Sequence, residues 1–547
     1  MDDVLGMAWS SIDTGQLNDS IWLDRSWDGG NTWDGLLGKA WIPSGWTGTR
    51  TLMYNMYDPD DHARAVVRAC GDASGQVACT DWVHLQVCAA HCDAASSSGA
   101  THDVAPVPDA SLDGRDIGLR IDGSTGMAYA TVADGTAGDT VWLDRSWNEG
   151  SSSPDGSELG ETGTPAGATG TSTTEFNIDD TLGRLYGGAV RACGSIDGSV
   201  ACTEWARNSS DQAAAAADAL MYDYDPYDGW WPSSWWNSAV ALTSIIDYTR
   251  ETGDTTYEWI VNRTFEVDQA AFAAGVRATN QIYGDFISDS TDDDEWWALA
   301  WVDAYNLTGD QAYLNMAVTI ADYVETMWDG TCGGGLWSDT TKTYKNAITN
   351  ALYVRLTAEL HEAVSGDTAW LSQADTAWSW FQNSGMINGS GLVNDGLNSS
   401  TCANNGGTVW SYNQGMTIGA AVEMYRATGT AADLSTAEHL ANSAIGSPLL
   451  VTDGVLTESC DALDSTCDDD QKQFKGIFMD YLGDLNSVVG GSYTSFIQNQ
   501  INTLWNSDRN ALDQIGERWS GQSPSSNPNI YSWRTQAGAL EAILAGL

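Results

Sequence analysis

An internal duplication constrains the fold of this chain more than any other feature of its sequence. The segment "DSIWLDRSW" at residues 19–27 returns as "DTVWLDRSW" at residues 139–147, and "VRACGDASGQVACTDW" at residues 67–82 returns as "VRACGSIDGSVACTEW" at residues 190–205. Matches that recur in the same order along a chain indicate a duplicated structural module. The first part of the sequence therefore predicts two copies of one fold.

Each copy has the sequence pattern of a β-protein. Short alternating apolar runs are separated by clusters of Gly, Ser, Asp and Pro, which is typical of strands joined by turns. We predict two β-rich, sandwich-like modules, at residues 1–95 and at residues 102–207.

From about residue 221 the pattern changes to helical periodicity, and a second recurrence appears. Helical runs end at a glycine, which terminates helices because it adopts the left-handed conformation easily. These glycines are spaced at roughly 60 residues, the length of a helical hairpin with its loop: Gly253, Gly309, Gly366, Gly429 and, less clearly, Gly491. Six hairpins closed into a ring would form an (α/α)6 barrel, but a right-handed solenoid has the same period. We predict an all-α domain at residues 219–547.

The charge of the chain excludes several classes of partner. It has 74 acidic residues against 23 Lys and Arg, a net charge of −51 at pH 7. Such a surface repels phosphate and anionic lipid, so we expect no binding to nucleic acid or to a membrane surface. The acidity fits a high-salt habitat and an acidic secreted bacterial enzyme equally well. We expect a monomer.

The chain shows no membrane or export segment. It has no apolar run of about 18 residues, so we expect no membrane span. The start at Met1 lacks the basic and apolar stretches of a signal peptide, which makes this a processed form if the protein is secreted.

Ten cysteines indicate disulfides rather than a metal site. None lies in a CxxC motif, and close pairs in an acidic chain fit an oxidising compartment, so we expect a secreted protein. The predicted short-range pairs are Cys70–Cys79, Cys88–Cys92, Cys193–Cys202 and Cys460–Cys467. Cys332 and Cys402 are left over and are assigned to a fifth disulfide.

The stretch "TDDDEWW" at residues 291–297 joins three aspartates to two of the 27 tryptophans. A run of aspartates is typical of a solvated helix start, where carboxylates interact favourably with the helix dipole. A calcium loop is a weaker interpretation, because the DxDxDG spacing is absent. Two close carboxylates would also suit a glycosidase, because their pKa values separate and one stays protonated. Aromatic faces beside carboxylates suit sugar rings.

The longer stretch "DDDEWWALAWVDAYNLTGD" resembles the signature of glycoside hydrolase family 76, the endo-α-1,6-mannanases. Further motifs follow in the order of that family: "GWWPSSWWNSAVALTSIIDY", "CGGGLW", "KNAITNALY", "GLVNDGL", "WSYNQG", "CDDDQKQFKGIFM" and "TQAGALEAILAG". The resemblance implies an (α/α)6 barrel, in agreement with the count of hairpins. Two positions depart from the family pattern: Val240 stands where an asparagine is frequent, and Asp480 where a basic residue is frequent.

The resemblance also implies a retaining mechanism. Alignment on the tryptophan pair makes Asp292 the nucleophile and Asp293 the acid and base, with Asp294 and Glu295 as spacers. It implies substrate contacts by Trp236, Asn237, Trp296, Trp297, position 347 in the Asn346–Ala347 step, Asp395, Tyr412, Asn413 and Gln414. It implies no cofactor and no metal.

These features predict a secreted endo-α-1,6-mannanase whose partner is a mannan polysaccharide. One alternative is a transglycosidase that remodels cell walls, and another is a non-catalytic mannan-binding protein. In the repeats, Trp22, Trp27, Trp142 and Trp147 would form a sugar-binding platform, unless the repeats are spacers in which these tryptophans are buried.

Overall fold

The computed structural model describes residues 7–27, 30–58, 63–83, 87, 91–100, 103–151, 158–180, 186–208 and 211–547. The chain divides into two compact units. The first is Met1–Asp211 with Ala511–Asp513, and the second is Gln212–Asn510 with Gln514–Leu547. The predicted module boundaries at 1–95, 102–207 and 219–547 stay predictions.

The first unit is built from small antiparallel sheets. In the first copy of the repeat, one four-stranded sheet has the order Gln76–Cys79, Val66–Ala73, Ser20–Ser26, Asp34–Trp41. Three two-stranded pairs accompany it: Met7–Ala8 with Tyr54–Asn55, Ser11–Ile12 with Thr49–Arg50, and Tyr57–Asp58 with Ala63–Arg64. The repeated "SIWLDRS" segment is thus a central strand.

The second copy has two four-stranded sheets. One has the order Ala110–Leu112, Arg115–Ile121, Ala128–Ala133, Gly170–Ser172, and the other has the order Leu159–Gly163, Thr140–Ser146, Ala189–Ile196, Ser199–Cys202. Apolar side chains of both sheets, such as Leu119 and Leu143, form one buried cluster, as alternating strands facing a common core should. This half therefore has the sandwich form predicted from its sequence.

The predicted sugar-binding platform of the repeats is wrong. Trp22, Trp142 and Trp147 are 6%, 7% and 5% exposed, so their ring faces are not available to a ligand. Trp27 is only half-buried, but the Arg25 guanidinium covers its ring at 4.8 Å. The repeated tryptophans stabilise the sheets, which is the alternative that the sequence left open.

The second unit contains twelve α-helices arranged as six pairs. The helices of the inner set are α2 (Trp235–Thr252), α4 (Thr291–Thr308), α6 (Ala347–Ala363), α8 (Ser411–Thr428), α10 (Phe474–Val488) and α12 (Trp533–Leu544). The outer set is α1 (Gln212–Met221), α3 (Trp259–Asp268), α5 (Gln311–Glu325), α7 (Ala369–Asn383), α9 (Ala431–Ile445) and α11 (Thr494–Thr503). Short hairpins lie in the loops: Ile282–Gly284 with Ile287–Ser288, Leu397–Asn398 with Ala403–Asn404, and Val451–Thr452 with Val455–Leu456.

The inner helices form a closed ring. Each packs against the next, and α12 packs against α2, which completes the circle. The outer helices cover this ring; α5, α7 and α9 pack on α4, α6 and α8. The unit is therefore an α/α barrel, and the solenoid alternative is wrong.

Glycines end three of the inner helices as the sequence predicted, but the predictions for Gly366 and Gly491 are wrong, because the C-cap residues of α6 and α10 are Val364 and Val489. Gly253, Gly309 and Gly429 are the C-cap residues of α2, α4 and α8, with φ of 74°, 74° and 70°. Glycine adopts these left-handed angles without the steric cost of a side chain.

Four of the predicted disulfides are present: Cys70–Cys79, Cys193–Cys202, Cys332–Cys402 and Cys460–Cys467. The predicted pair Cys88–Cys92 lies outside the described residues, because Cys88 is not among them. Within the described part of the chain, every helix is too short or too polar to cross a bilayer.

Candidate active site

The N-terminal ends of the inner helices converge on one aromatic and acidic cleft. Trp236 in the first turn of α2 stacks on Trp296 of α4, with ring centroids 5.7 Å apart. Tyr412 in the first turn of α8 stacks on Phe474, the first residue of α10, at 3.8 Å. Trp236 also contacts Phe474 at 6.4 Å. The rings of four inner helices thus form one wall.

Asp292 and Asp293 lie in the first turn of α4 at this cleft. The residue before the helix is its N-cap, Ser290, and the Ser290 hydroxyl lies 3.0 Å from Oδ1 of each aspartate. Both oxygens are thus within hydrogen-bond distance of one group, and they lie no more than about 6 Å apart, close to the separation of ~5–5.5 Å in retaining glycosidases.

Two donors favour the charged form of Asp292. Asn346, the N-cap of α6, donates its amide to Asp292 Oδ2 at 3.2 Å, and the Ser290 hydroxyl faces the other oxygen. Burial is the stronger influence and raises the pKa of Asp292 to about 6, although both donors act in the opposite direction. Asp292 is therefore ionised near neutral pH.

At Asp293 the influences that raise the pKa are stronger than at Asp292. Burial raises its pKa well above the ordinary aspartate value, and the neighbouring charge of Asp292 raises it further. The hydrogen bond with the Ser290 hydroxyl acts against this shift. Burial and the neighbouring charge thus both favour the protonated form of Asp293, which is the form that a general acid requires.

Asp294 and Glu295 do not face solvent. Both are 0% exposed, so the interpretation of a solvated helix start is wrong for Asp294. The backbone N–H and the hydroxyl of Ser288 each donate to Asp294 Oδ1 at 2.7 Å, which fixes the preceding loop on the start of α4. Asp294, which the sequence assigned as a spacer, therefore holds the Ser288 loop in place.

Two further acids belong to the cleft. Trp236 Nε1 donates to Asp470 Oδ1 at 2.8 Å, and the charge of Asp470 raises the pKa of both Asp292 and Asp293. On the other side, the Tyr344 hydroxyl donates to Asp395 Oδ2 at 2.5 Å, and the charge of Asp395 raises the pKa of Tyr412 after burial has done so. Asp395 was expected at the site, whereas Asp470 was missed.

Several predicted contact residues lie in the core instead. Trp297 is 0% exposed and packs on Trp235 and Phe286, with ring centroids at 4.8 and 4.9 Å. Asn237 is 0% exposed and donates to the Gln473 side chain. Gln414, 1% exposed, uses its amide to bind both backbone groups of Val393. Trp297 is in the core because its ring packs there. Asn237 and Gln414 are buried because their amides bind the Gln473 side chain and the Val393 backbone.

Asn413 and position 347 also differ from expectation. Asn413 is 1% exposed, and neither atom of its amide has a hydrogen-bond partner among the described residues. Position 347 is Ala347, wholly buried and without a polar group, and the neighbouring Asn346 supplies the amide. The predicted contact is therefore displaced by one residue, to the N-cap of α6.

The cleft also contains residues that the sequence gave no reason to select. Ser290 is one, because an N-cap serine normally binds the backbone of its own helix. Phe474 and Tyr344 are others, and each lies in or next to a motif that was recognised for other residues. The "DDD" at residues 468–470, before α10, repeats the run of three aspartates that contains the pair on α4, and this repetition could have identified Asp470.

Comparison with known proteins gives a consistent family. The model of the family described as "Glycosyl hydrolase family 76" matches residues 206–547. The "Mannan endo-1,6-alpha-mannosidase DCW1" of Candida albicans is 26% identical over 281 residues, which cover 47% of this chain and 59% of that protein. The "Mannan endo-1,6-alpha-mannosidase DFG5" of Saccharomyces cerevisiae is 26% identical over 339 residues, 57% of this chain and 70% of that protein.

Solved structures show the same fold. The GH76A alpha-1,6-mannanase from Salegentibacter sp. HEL1_6 superposes with a TM-score of 0.53 at 23% identity, covering 61% of this chain and 98% of that one. An inactive variant of that mannanase, with two consecutive aspartates replaced by asparagine, has been solved with alpha-1,6-mannotriose at the same TM-score, identity and coverage.

Proposed function

This chain belongs to glycosyl hydrolase family 76, and from that premise we propose that it is a retaining hydrolase that cleaves α-1,6-mannosidic bonds within mannan backbones. The names of the curated relatives support this substrate class. The observation that carries the proposal is the Ser290 hydroxyl, 3.0 Å from Asp292 and from Asp293 in an aromatic cleft.

The shared hydroxyl assigns different protonation states to the two acids. A hydroxyl has one proton to donate and lone pairs that accept. If Ser290 donates to ionised Asp292, its oxygen is free to accept a hydrogen bond from the carboxyl group of neutral Asp293. This arrangement satisfies all three groups, and it agrees with the extra donor from Asn346 to Asp292. The nucleophile and the acid are thereby prepared before substrate binds.

In the first step, an oxygen of Asp292 attacks the anomeric carbon of the mannose at the cleavage point. The bond from that carbon to the glycosidic oxygen breaks, and the proton of Asp293 moves to the leaving oxygen. The product is a mannosyl ester on Asp292 and a shortened chain with a new hydroxyl at carbon 6.

In the second step, Asp293 is ionised and acts as a base. It takes a proton from water, whose oxygen attacks the anomeric carbon and displaces Asp292. Two inversions give net retention. Asp292 then regains its donors from Ser290 and Asn346.

The walls of the cleft position the polymer. Trp236 and Tyr412 are half-buried and offer apolar faces for the C–H sides of sugar rings, and the buried rings of Trp296 and Phe474 support them by stacking. Asp470, beside Trp236, and Asp395, beside Tyr344, have carboxylate oxygens that can accept hydrogen bonds from sugar hydroxyls. Ring faces on two different helices, α2 and α8, suit a polymer that occupies several subsites.

Product analysis on unbranched α-1,6-mannan tests the proposal. We expect short manno-oligosaccharides whose newly formed reducing ends are first α, as read by proton NMR. Asp292→Asn and Asp293→Asn should abolish their release, whereas Asp322→Asn on the exposed face of α5 should not. Predominant formation of longer chains would indicate a transglycosidase, and binding without turnover would indicate a mannan-binding protein. Unchanged hydrolysis by both active-site variants would contradict the site assignment.

We also propose that the first copy of the repeat binds the polysaccharide, through tryptophans other than the repeated ones. Trp41 and Trp46 are 57% and 70% exposed. The second copy has small residues at the matching places. Ser20 pairs with Trp41 as Thr140 pairs with Gly163, and the turn from Pro43 to Trp46 corresponds to the one from Pro165 to Ala168. The exposed rings are therefore particular to the first copy.

Sedimentation with insoluble α-1,6-mannan tests this second role. The full chain carrying Asp292→Asn should sediment with the polymer, and the added pair Trp41→Ala and Trp46→Ala should reduce the bound fraction several-fold. Leu52→Ala is a control, because Leu52 is 74% exposed in the same copy. Hydrolysis of a soluble oligosaccharide by the tryptophan variant should stay at the wild-type level. Equal sedimentation of all variants would contradict the proposal.

Secretion is part of the same proposal. It is supported by the disulfides, which persist in oxidising compartments, and by a polymeric substrate.

A further inference from the structure

Lys345 is a buried lysine that lies one residue before Asn346, the amide donor to Asp292. Its side chain is 0% exposed, although an ammonium group normally stays in water unless its charge is compensated. Asn346 has extended backbone angles, with φ of −97° and ψ of 166°, and consecutive side chains of an extended segment point to opposite sides. The Asn346 amide reaches into the cleft, so the Lys345 side chain leads away from it.

The ammonium group of Lys345 is held by a single loop, residues 329–335, which we call the anchor loop. Nζ donates to Asp329 Oδ1 and to the carbonyl of Thr331, both at 3.0 Å. It also donates to the carbonyls of Gly334 and Gly335, both at 2.7 Å. These four acceptors are enough for every proton of the ammonium group, and one of them carries a compensating charge.

The anchor loop has further contacts that fix its shape. Trp337 Nε1 donates to Asp329 Oδ2 at 3.0 Å, and Trp380 Nε1 donates to the carbonyl of Cys332 at 3.1 Å. Gly335 has a φ of 88°, and a Cβ there would lie 2.2 Å from the Trp380 ring, so glycine is required for this close approach. The loop therefore presents its carbonyl groups to the lysine at fixed positions.

The segment at residues 344–346 contacts the start of α4 by two routes. The Asn346 amide donates to Asp292 Oδ2 at 3.2 Å. The carbonyl of Tyr344 accepts the backbone N–H of Ser338 at 2.9 Å, and the carbonyl of Ser338 accepts the backbone N–H of Thr291, the first residue of α4, at 2.8 Å. A displacement of this segment would therefore change the position of the amide donor relative to Asp292.

We propose that Lys345 is a positioning residue for the nucleophile, on which it acts through Asn346. This role rests on the proposed function, in which Asp292 attacks the sugar. The ammonium group is fixed on the anchor loop, and the peptide bond between residues 345 and 346 carries that fixed position to the N-cap of α6. The amide of Asn346 is thus kept at Asp292, where it favours the ionised form. A lysine with a structural role alone would change Tm but not the protonation of Asp292.

Carbodiimide labelling of Asp292 in the full chain, measured against pH and read by peptide mass spectrometry, tests the proposal without turnover. Asp292 is only half-buried in an open cleft, so the reagent can reach it. Lys345→Met keeps an unbranched side chain but removes the ammonium group, and it should raise the pH midpoint of labelling by up to about one unit, the effect of one hydrogen bond. The acidic limb of kcat/KM should move in the same direction.

Two further variants show whether the effect passes through Asn346. Lys345→Met combined with Asn346→Ala should shift the midpoint no further than Asn346→Ala alone, because both changes remove the same hydrogen bond to Asp292. Asp329→Asn removes the charge from an acceptor of the ammonium group and should give a smaller shift in the same direction. This variant also decides the question if Lys345→Met does not fold.

Lys475→Met is the matched control, because Lys475 is also buried, at 3% exposure, and its ammonium group joins Asp461 to the carbonyl of Glu517. It should lower Tm, as Lys345→Met should, but leave the labelling midpoint of Asp292 at the wild-type value. Unchanged midpoints in Lys345→Met and Asp329→Asn, additive shifts in the double variant, or an equal shift in Lys475→Met would overturn the proposal. Absence of hydrolysis by the wild-type chain would instead contradict the proposed function, because the labelling requires no turnover.

Discussion

The two ends of the barrel use buried carboxyl groups in opposite ways. At the N-terminal ends of the inner helices, Asp292 and Asp293 lie among aromatic rings and share the hydroxyl of Ser290. At the C-terminal ends, nine carboxyl groups surround three arginines. The helix dipole stabilises an anion at the first end and destabilises one at the second.

The difference shows that burial alone does not make an acid catalytic. Burial raises the pKa of Asp292 to about 6 and that of Asp303, at the other end, to about 7. What distinguishes Asp292 is its pair of neutral donors and its open aromatic surroundings. Asp303 instead lies among further acids and arginines, whose charges act on it in opposite directions.

The largest expected difference comes from matched substitutions at the two ends. Asp292→Asn should lower kcat on α-1,6-mannan by about 10⁴-fold or more, because no other group forms the covalent intermediate. Asp480→Asn makes the same substitution at the opposite end and should leave kcat unchanged. A comparable loss of kcat in Asp480→Asn would show that the two ends are not independent.

Asp293→Asn should have the next largest effect, and one that depends on the leaving group. Loss of a general acid costs about 10²–10⁴-fold on mannan, whose leaving oxygen needs a proton. On an aryl α-mannoside with an acidic phenol the first step should be nearly normal, giving a burst of phenol in rapid-mixing experiments. Equal losses on both substrates would contradict the role as an acid.

Ser290→Ala should lower kcat/KM by about 10–100-fold, the cost of losing a hydrogen bond to a charged group in the site. The pH profile should change as well, because the hydroxyl no longer links the two aspartates by hydrogen bonds. A reduced kcat/KM with the wild-type profile would indicate a purely structural role for Ser290.

Asn346→Ala should move the acidic limb of the pH profile. Asn346 donates to ionised Asp292 and so lowers its pKa; removing the donor raises that pKa, and activity should be lost at a higher pH on acidification. One hydrogen bond corresponds to about one pKa unit. The pH dependence of kcat/KM measures the shift, and Asn315→Ala on the exposed face of α5 is the control.

The smallest expected effect concerns stability at the C-terminal ends. Burial raises the pKa of Asp303 to about 7 and raises those of Asp480 and Glu541 well above their usual values. Groups with a raised folded-state pKa stabilise the fold at low pH, and that stability is lost as pH rises through the folded pKa. Tm should therefore fall as pH rises from about 4, near the unfolded-state pKa, through the folded-state pKa of about 7 for Asp303, and the Tm of Glu541→Gln, which has one such acid fewer, should fall less. An equal fall would contradict this account.

The sequence predicted the barrel because its signal is local. A glycine that ends a helix acts within one turn, so the spacing of Gly253, Gly309 and Gly429 reports the helical hairpins directly. Closure of the ring is different, since it depends on contact between α2 and α12 at opposite ends of the domain. That contact leaves no local pattern, and the solenoid stayed open for this reason.

The site was predicted only in part, because a sequence motif locates residues but does not give the direction of their side chains. The motif located the aspartate pair, but the direction in which each side chain points depends on the phase of the helix. Trp296 is one turn after Asp292 and shares its face, whereas Trp297 is turned by about 100° into the core. In the repeats, the tryptophans that recur are the ones that pack, and the exposed Trp41 and Trp46 lie where the copies differ.

Closure of the inner ring also sets the order in which the protein can mature. The hydrogen bond from Trp236 to Asp470 joins residues 234 positions apart, and α12 must reach α2 before the ring is complete. During synthesis the helix that carries the aspartate pair emerges long before its last neighbours. Until then the inner faces of the early helices stay uncovered, which exposes the nascent chain to aggregation. A barrel closed in this way should fold slowly, and only after its last helix has been synthesised, because its closing contacts join residues that are distant in sequence.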